Sequence, residues 1–322
     1  MNYDKEKPNT INTISTIFPR DIEKITVKRK EVEDGYYINT FYPFYPGIYL
    51  FLNEVHATNI NAGTFPKETQ MIVINYCLSG RCEFKAFGDK YKYLTDNNIS
   101  IGGYVVKESF FYPSDFYLGF EVGIIEELFT KETWDILNEF QIDINCLNNL
   151  SKNNNGLLIL EANSEVQKIW LDMYSDKDED PYIIKLNMLK ILRILSKNEL
   201  ANDTSTLYLT KGQMEIARAV HKRLTQDLSV HISIRQISEE LNISQSSLKK
   251  YFKIMFDMNV SEYMKIARLK KAAKMLAETD ISIFDIADLC GYTNQGRFAK
   301  IFKEYYGMRP LEYRQTSIKF KK

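Results

Sequence analysis

Residues 281–314 read "ISIFDIADLCGYTNQGRFAKIFKEYYGMRPLEYR", and this stretch decides the fold of the C-terminal third of the chain. Its apolar residues recur three and four positions apart on both sides of Gly291, the spacing of two short helices separated by a tight turn. Glycine suits such a turn because it readily adopts a left-handed backbone conformation. The polar residues 293–296 (TNQG) are typical of a helix N-terminus, where side chains cap free backbone N–H groups. The stretch therefore predicts a helix-turn-helix unit.

The same pattern occurs once more, upstream in the chain. The apolar positions of residues 234–256 coincide with those of residues 283–306 at a shift of 49 before the turn and 50 after it, which indicates a duplicated unit. Asn242 occupies the turn of the first copy, and asparagine also tolerates left-handed backbone. Between the copies, Ser261–Ala277 reads as one helix, about 25 Å long at roughly 1.5 Å per residue. We therefore predict an all-α C-terminal domain of two helix-turn-helix units joined by a long helix.

The charges of the chain are divided unevenly, although 42 Lys+Arg residues balance 42 Asp+Glu residues overall. Residues 1–209 hold 21 basic and 30 acidic residues, a net charge of −9. Residues 210–322 hold 21 basic and 12 acidic residues, a net charge of +9. A cationic domain beside an anionic one indicates a polyanionic partner, most commonly nucleic acid, whereas surplus charge that only keeps a surface solvated is the alternative.

The second helix of each copy carries small, amide and cationic side chains, the types that contact phosphates and base edges in the major groove of DNA. A linker helix of the predicted length holds two such helices about one turn of DNA apart, about 34 Å. Two copies in one chain favour double-stranded DNA over a merely solvated basic face. The predicted DNA contacts are Gln245, Ser246, Ser247, Lys249, Lys250 and Lys253 in the first copy, and Asn294, Gln295, Arg297, Lys300 and Lys303 in the second.

Residues 281–314 resemble the C-terminal domain of the AraC/XylS family of bacterial transcription regulators through the motifs I-x-DIA, GY, F-x-x-x-FK, G-x-x-P and YR. The first copy, "ISIRQISEELNISQSSLKKYFKIMF" (232–256), matches the weaker N-terminal motif of that family, and the resemblance covers residues 210 to about 316. It implies promoter DNA and RNA polymerase as partners. It also implies base contacts by Ser246, Lys249 and Lys250 in the first copy and by Gln295, Gly296 and Lys300 in the second.

Gly296 departs from the family pattern because it has no side chain with which to read a base. Base reading by the second helix is then expected to fall to Gln295 or Arg297. Gln295 carries an amide able to pair bidentately with adenine.

Residues 35–125 change to strand chemistry, with β-branched and aromatic residues in short runs. The dipeptides Ser79–Gly80 and Gly88–Asp89 predict tight hairpins. Many short antiparallel strands without intervening helices predict a barrel or jelly roll, and the family resemblance implies a cupin-like sensor barrel. The predicted strands are Gly47–Val55, Gln70–Leu78, Gly80–Phe87, Ile99–Val106 and Phe116–Ile124.

The sequence thus predicts an α+β chain of two domains. An N-terminal arm (1–34) leads into the cupin-like sensor barrel (35–125), a helical linker and dimerisation region (126–205) and the double helix-turn-helix domain (206–322). Flanking helices are predicted at about 125–140, 163–175 and 181–197, with an Asn-rich loop at 145–156. The third helix is apolar on nearly all sides and is expected to be buried, either against the barrel or in a homodimer seam.

Aromatic residues along the strands line a ligand pocket or form ordinary core, and both interpretations stay open. The candidate effector-binding residues are Tyr49, Tyr76, Arg81 and Tyr93. One histidine, His56, is too few for a metal cupin, so we expect no metal, no cofactor and no enzyme activity. Few cysteines, a polar N-terminus and the lack of a long apolar run predict a cytoplasmic protein without a membrane segment.

These observations together predict a cytoplasmic, sequence-specific transcription regulator, an activator whose N-terminal barrel senses a small-molecule effector. One alternative is a regulator controlled by a protein partner that binds the acidic N-terminal half. Another is an architectural DNA-binding protein without sequence preference, which the ratio of specific to nonspecific affinity distinguishes.

Overall fold

Strands dominate the N-terminal part of the computed structural model, and helices make up the C-terminal part. The structure describes residues 25–42, 44–61, 71–86, 88–103, 109–153, 156–177, 180–197 and 207–319. The chain divides into two units, residues 1–208 and 209–322. Residues 1–24 of the predicted arm and the polar run 198–205 lie outside the described residues.

The N-terminal unit is built on an antiparallel sheet with the order β1-β2-β3-β9-β5-β6, in which β7 also pairs with β5, and β10 pairs with β7. Strands β4 and β8 form a separate pair. The strands are β1 (Thr26–Val32), β2 (Gly35–Tyr42), β3 (Ile48–His56), β4 (Asn59–Asn61), β5 (Ile72–Ala86), β6 (Lys90–Thr95), β7 (Asn98–Gly103), β8 (Ser109–Phe111), β9 (Tyr117–Ile124) and β10 (Leu157–Glu161).

The hairpin predicted at Ser79–Gly80 is wrong. β5 continues through both residues, and its pairing with β9 shifts register between Cys77 and Ser79, which is a β-bulge. Gly80 has a φ of +95°, and an added Cβ would lie 2.3 Å from the carbonyl oxygen of Phe116, so this position requires glycine. The turn predicted at Gly88–Asp89 is confirmed, because both residues have positive φ and join β5 to β6.

Four α-helices follow or interrupt the strands of this unit. They are α1 (Lys131–Glu139), α2 (Ile144–Asn153), α3 (Ser164–Ser175) and α4 (Pro181–Ser196). Three were predicted, whereas the Asn-rich segment expected to be a loop forms α2 over most of its length. Ile144 and Leu147 of α2 are buried three positions apart, and their burial outweighs the low helix propensity of asparagine.

The helices pack against one face of the sheet, here called the helix-covered face. Trp170 of α3 stacks on Tyr76 of β5 and Phe120 of β9, with ring centroids 5.0 and 5.1 Å apart. Met188 and Leu192 of α4 are buried in the same core. The side chains that alternate with these along the strands point to the opposite face, which carries separate apolar clusters and several polar groups.

Helix α4 is only partly buried within this unit, so packing against the sheet covers one of its sides, and the homodimer seam stays a prediction for the other. Tyr182 and Leu186 are 72% and 60% exposed, and Ile183 is 40% exposed. These three residues lie on one side of the helix, opposite the side that enters the core.

The C-terminal unit confirms the predicted pair of helix-turn-helix units joined by a long helix. After β11 (Leu209–Thr210) and α5 (Lys211–Thr225), the first unit consists of α6 (Ile234–Glu240) and α7 (Gln245–Phe256). The linker helix α8 (Val260–Glu278) has 19 residues. The second unit consists of α9 (Ile283–Leu289) and α10 (Gln295–Tyr306), and α11 (Pro310–Lys319) follows it.

Candidate DNA interface

The turns of both helix-turn-helix units depend on left-handed residues, as predicted. Asn242 has a φ of +51° and Gly291 a φ of +76°. Gly291 is also closely packed, because an added Cβ would lie 2.7 Å from the carbonyl oxygen of Leu228. A side chain at this turn would therefore push the second unit away from the segment that precedes the first.

Polar side chains cap the second helix of each unit. The Ser244 hydroxyl accepts a hydrogen bond from the Ser247 N–H at 3.1 Å, and the Asn294 Oδ1 accepts one from the Arg297 N–H at 2.9 Å. Asn294 was predicted to contact DNA, and its carbonyl oxygen is engaged in this cap, which leaves its amide N–H groups for a further partner. The caps fix where α7 and α10 begin. These two helices, which are predicted to read DNA, are called the reading helices below.

Helix α7 has one buried side and one exposed cationic side. Leu248, Phe252, Met255 and Phe256 are buried in the core of the unit. Ser247 is half-buried beside its cap. The exposed side chains are Gln245, Ser246, Lys249, Lys250 and Lys253. None of these lysines forms an ion pair with any residue the structure describes.

Helix α10 repeats this arrangement, with Phe298 and Phe302 buried on its inner side. Gln295, Gly296, Arg297, Lys300 and Lys303 are exposed, and its cations likewise lack ion pairs within the described residues. At Gly296, an added Cβ would meet only the Asn294 Oδ1, at 3.3 Å. This contact is tight, so the Asn294 side chain, which caps the helix, must shift by a few tenths of an ångström to admit even a small side chain.

Aromatic clusters position both reading helices, and they extend the repeat further than the sequence comparison did. Phe252 and Phe256 pack on Tyr263 of α8, with ring centroids 5.4 and 4.9 Å away. Phe302 and Tyr306 pack on Tyr313 of α11 in the same way, at 5.4 and 5.1 Å. Tyr263 and Tyr313 also stand 50 residues apart, so continuing the alignment past the second helices would have found them.

His221 of α5 closes the first cluster. Its ring stacks on Phe256, and its Nε2 lies 2.6 Å from the Tyr263 Oη. Burial lowers the pKa of His221 from 6.5 to about 4. The imidazole is therefore neutral at physiological pH, and it belongs to the core rather than to the cationic surface.

Arg268, in the middle of α8, is a buried cation that the sequence analysis did not single out. Its Nε donates to the Leu228 carbonyl at 2.9 Å, and its Nη2 donates to the Val230 carbonyl at 3.3 Å. Its Nη1 lies 3.2 Å from the His231 Nε2. The His231 Nε2 also lies 3.2 Å from the Gly291 carbonyl oxygen. Arg268 thus ties the linker helix to the segment before the first unit. The His231 Nε2 either accepts from Arg268 or donates to the Gly291 carbonyl, depending on which tautomer the imidazole adopts.

Acidic side chains of the C-terminal unit lie mostly away from the reading helices. Glu240 pairs with Arg223 at 3.0 Å, and Glu239 pairs with Arg235 at 2.9 Å, both on helices that precede α7. Helix α7 contains no acidic residue, and α10 contains one, Glu304. Helices α7 and α10, where DNA contacts were predicted, therefore carry net charges of +3 and +2.

The four candidate effector residues do not form one site. Tyr76 lies on the helix-covered face, where burial raises its pKa to about 12, whereas Tyr49 packs beside Phe41 on the opposite face. Tyr93 donates a hydrogen bond to Glu83 at 3.0 Å, and the Arg81 guanidinium lies 5.1 Å from the Tyr93 ring centroid. Their role in ligand binding stays a prediction.

The part of the chain that the structure describes contains neither a candidate metal site nor a candidate membrane span. No group of three or more His, Cys, Asp or Glu side chains there is arranged to hold a metal ion. No described helix combines the length and apolarity needed to cross a membrane.

Comparison with known proteins gives matches centred on the two helix-turn-helix units. A family model described as a helix-turn-helix domain matches residues 237–316. The HTH-type transcriptional activator RhaR of Mannheimia succiniciproducens is 22% identical over 161 residues, which are 50% of this chain and 56% of that protein. This chain thus spans little more than half the length of RhaR.

Two further matches each cover less than a third of this chain. The C-terminal domain of AraT, a response regulator from Geobacillus stearothermophilus, is 28% identical with a TM-score of 0.30, and the match covers 31% of this chain and 84% of that one. The probable transcription factor PqrA of Proteus vulgaris is 36% identical over 85 residues, which are 26% of this chain and 70% of that protein. The similarity to PqrA and the match to the helix-turn-helix family model agree with the duplicated helix-turn-helix architecture. The chain belongs to the AraC/XylS family of transcription regulators.

Proposed function

We propose that this protein is a sequence-specific DNA-binding transcription regulator, an activator that acts in the cytoplasm and has no enzyme activity. The observation that carries the proposal is the pair of capped helices α7 and α10, each with one buried side and one exposed cationic side. Cations without ion pairs are free to displace the counterions of a DNA duplex.

One chain is proposed to read an asymmetric site across two successive major grooves. The two reading faces differ, with Ser246, Lys249 and Lys250 on α7 and Gln295 and Lys300 on α10. Because the two units follow each other in one chain, no symmetry axis relates their half-sites. A palindrome bound by a single chain would contradict this.

The test uses promoter fragments that genome-wide mapping identifies as bound by this protein. Fluorescence anisotropy measures the affinity of the full chain for these fragments at several salt concentrations. Lys250→Ala and Lys300→Ala each remove one cation from a reading face, and Lys168→Ala removes one from an exposed position on α3. A lost phosphate contact should weaken all sequences alike and lower the salt slope by about one, whereas a lost base contact should cost about 1–3 kcal/mol and relax one position. The Lys168 variant should match the wild type.

The same experiment can refute the proposal. An affinity that does not change between low and moderate salt would remove the electrostatic basis of DNA binding. Equal affinity for promoter and unrelated DNA would instead support an architectural protein without sequence preference.

The N-terminal unit is proposed to be a cupin-like barrel that senses a small molecule and passes the signal to RNA polymerase at the promoter. The antiparallel order of the sheet and the polar groups on its opposite face support this role. The proposed domain limits are those predicted from the sequence. A change in promoter affinity or transcription on addition of the effector is the test.

Homodimerisation through α4 is a further part of the proposal. Tyr182, Ile183 and Leu186 form an exposed apolar strip on this helix, and a soluble chain is stabilised when such a strip is covered. The alternative occupant is a protein partner of the acidic half, which would control the regulator without a small molecule. Light scattering of the purified chain separates the two, because only a homodimer forms without added partner.

A further inference from the structure

A chain of polar side chains crosses three neighbouring strands on the opposite face of the N-terminal sheet. The Asn39 amide on β2 donates to the Asn53 Oδ1 on β3 at 2.6 Å. The Asn53 amide donates in turn to the Glu121 Oε2 on β9 at 3.3 Å. We call Asn39, Asn53 and Glu121 the amide–carboxylate cluster.

Glu121 is surrounded by protein yet keeps part of its surface accessible. Burial is the main influence on its carboxyl and raises the pKa to about 7, against the lowering effect of the Asn53 hydrogen bond. No cationic side chain among the described residues contributes to that pKa. Its Oε2 accepts the Asn53 hydrogen bond, and its Oε1 accepts none from a described residue.

Aromatic rings lie beside the carboxyl. Phe51 stands opposite Glu121 in the register of β3 and β9, and Asn75 stands opposite it on β5. The Tyr117 ring lies over Gly119, where an added Cβ would come within 2.5 Å of the Tyr117 Oη. Burial is the main cause that raises the pKa of Tyr117 and of Tyr112, and Glu121 adds to it, so both phenols stay neutral.

We propose that the amide–carboxylate cluster binds a small organic cation that carries an ammonium or guanidinium group. This inference rests on the sensor role proposed above and names the chemical class of its effector. The cationic group would donate hydrogen bonds to the Glu121 Oε1, with neighbouring aromatic rings against its apolar part.

The chemistry of the cluster selects for charge. Each amide uses one N–H toward its neighbour in the cluster and keeps a second N–H, so the Glu121 carboxylate is the only charged group that the cluster offers to a ligand. A carboxylate enclosed without a counter-charge is costly, and an incoming cation removes that cost. Aromatic faces also attract cations. An anionic ligand would meet repulsion instead.

The test uses n-butylammonium and n-butylguanidinium as probes, with n-butanol and butyrate as neutral and anionic counterparts of the same length. Thermal unfolding of the full chain is measured with each probe at millimolar concentration. The variants are Glu121→Gln, which keeps shape and removes charge, and Glu126→Gln, which neutralises an exposed carboxylate five residues along the chain.

The expected result is stabilisation by at least one cationic probe, with no stabilisation by n-butanol or butyrate. Glu121→Gln should weaken binding of that probe about tenfold or more, whereas Glu126→Gln should not change it. Calorimetry in buffers of different ionisation enthalpy should show release of about half a proton per bound cation at pH 7 by the wild type, and none by Glu121→Gln.

Three results would overturn the inference: no stabilisation by either cation, equal stabilisation by n-butanol, or undiminished binding by Glu121→Gln. Promoter binding measured on the same samples separates this failure from failure of the proposed function. If DNA binding persists while no cation binds, only the effector class is wrong. If n-butanol alone binds and alters promoter affinity, the sensor role stands without the cation.

Discussion

Replacing Arg268 is the most direct test of how the two helix-turn-helix units are held together. Its guanidinium donates to the carbonyls of Leu228 and Val230, and substitution by methionine leaves both without that donor. Each such loss costs about 1–3 kcal/mol, or about 2–6 kcal/mol for both. Burial lowers the pKa of Arg268, which shows that the charge is itself costly to bury, and removing it returns part of the loss. We therefore expect Arg268→Met to lower the free energy of unfolding by about 2–4 kcal/mol.

Urea unfolding of the full chain, followed by the circular dichroism of its helices, measures this change. Lys274→Met is the matched control, because it makes the same substitution at an exposed cation on the same helix, and it should stay within about 0.5 kcal/mol of the wild type. Arg268→Lys retains the charge but has a single ammonium group to share between the two carbonyls, so it should lose about half as much. If Arg268→Met were no less stable than Lys274→Met, the hydrogen bonds to the Leu228 and Val230 carbonyls would not stabilise the C-terminal unit.

The remaining predictions concern the reading helices, the aromatic cluster that contains His221, and α4. We expect the wild type to tolerate base changes better in the second half-site than in the first, and Gly296→Ser to increase discrimination in the second. Equal discrimination in both halves by the wild type, measured by a base-by-base scan, would show that the missing side chain is irrelevant. His221 has a folded-state pKa of about 4, below its ordinary value of 6.5, so the unfolded chain takes up the proton first and stability falls as the pH drops from 6.5 towards 4. The loss from this group is about 2 kcal/mol at pH 5; His221→Gln should lack it, and an equal acid sensitivity of wild type and variant in urea unfolding would contradict the assignment. Leu186→Glu should convert a dimer to a monomer in light scattering without lowering the unfolding temperature of the monomer, since this side chain is 60% exposed.

The C-terminal unit could be predicted in detail because its signals are local. Three-and-four spacing, caps and left-handed turn residues each depend on a few neighbouring positions, and Asn242 and Gly291 adopt the backbone that their types favour. Arg268 could not be recognised, because an arginine in a basic helix resembles a solvated one. Its burial depends on two carbonyls about 40 residues away in the chain.

The N-terminal unit was harder to predict because its signals are ambiguous. Ser79–Gly80 has the composition of a hairpin turn, yet a bulge requires the same positive φ at glycine, and only the partner strand distinguishes the two. Glu121 alternates with apolar residues as a solvent-facing residue would. The sequence does not show that β9 lies between β3 and β5 or that this carboxyl is buried within the unit, which raises its pKa.

The matching aromatic clusters give α7 and α10 the same packing contacts within the C-terminal unit. Tyr263 and Tyr313 contact the inner sides of α7 and α10 in the same way. Residues on the outer side of either helix can therefore change without altering how that helix packs. A helix carrying the outer residues of α7 on the inner residues of α10 should therefore dock in the second position and bring its base preference with it. We therefore expect that substitutions on the outer side of α7 or of α10 can change the base preference of one half-site while the other half-site keeps its own.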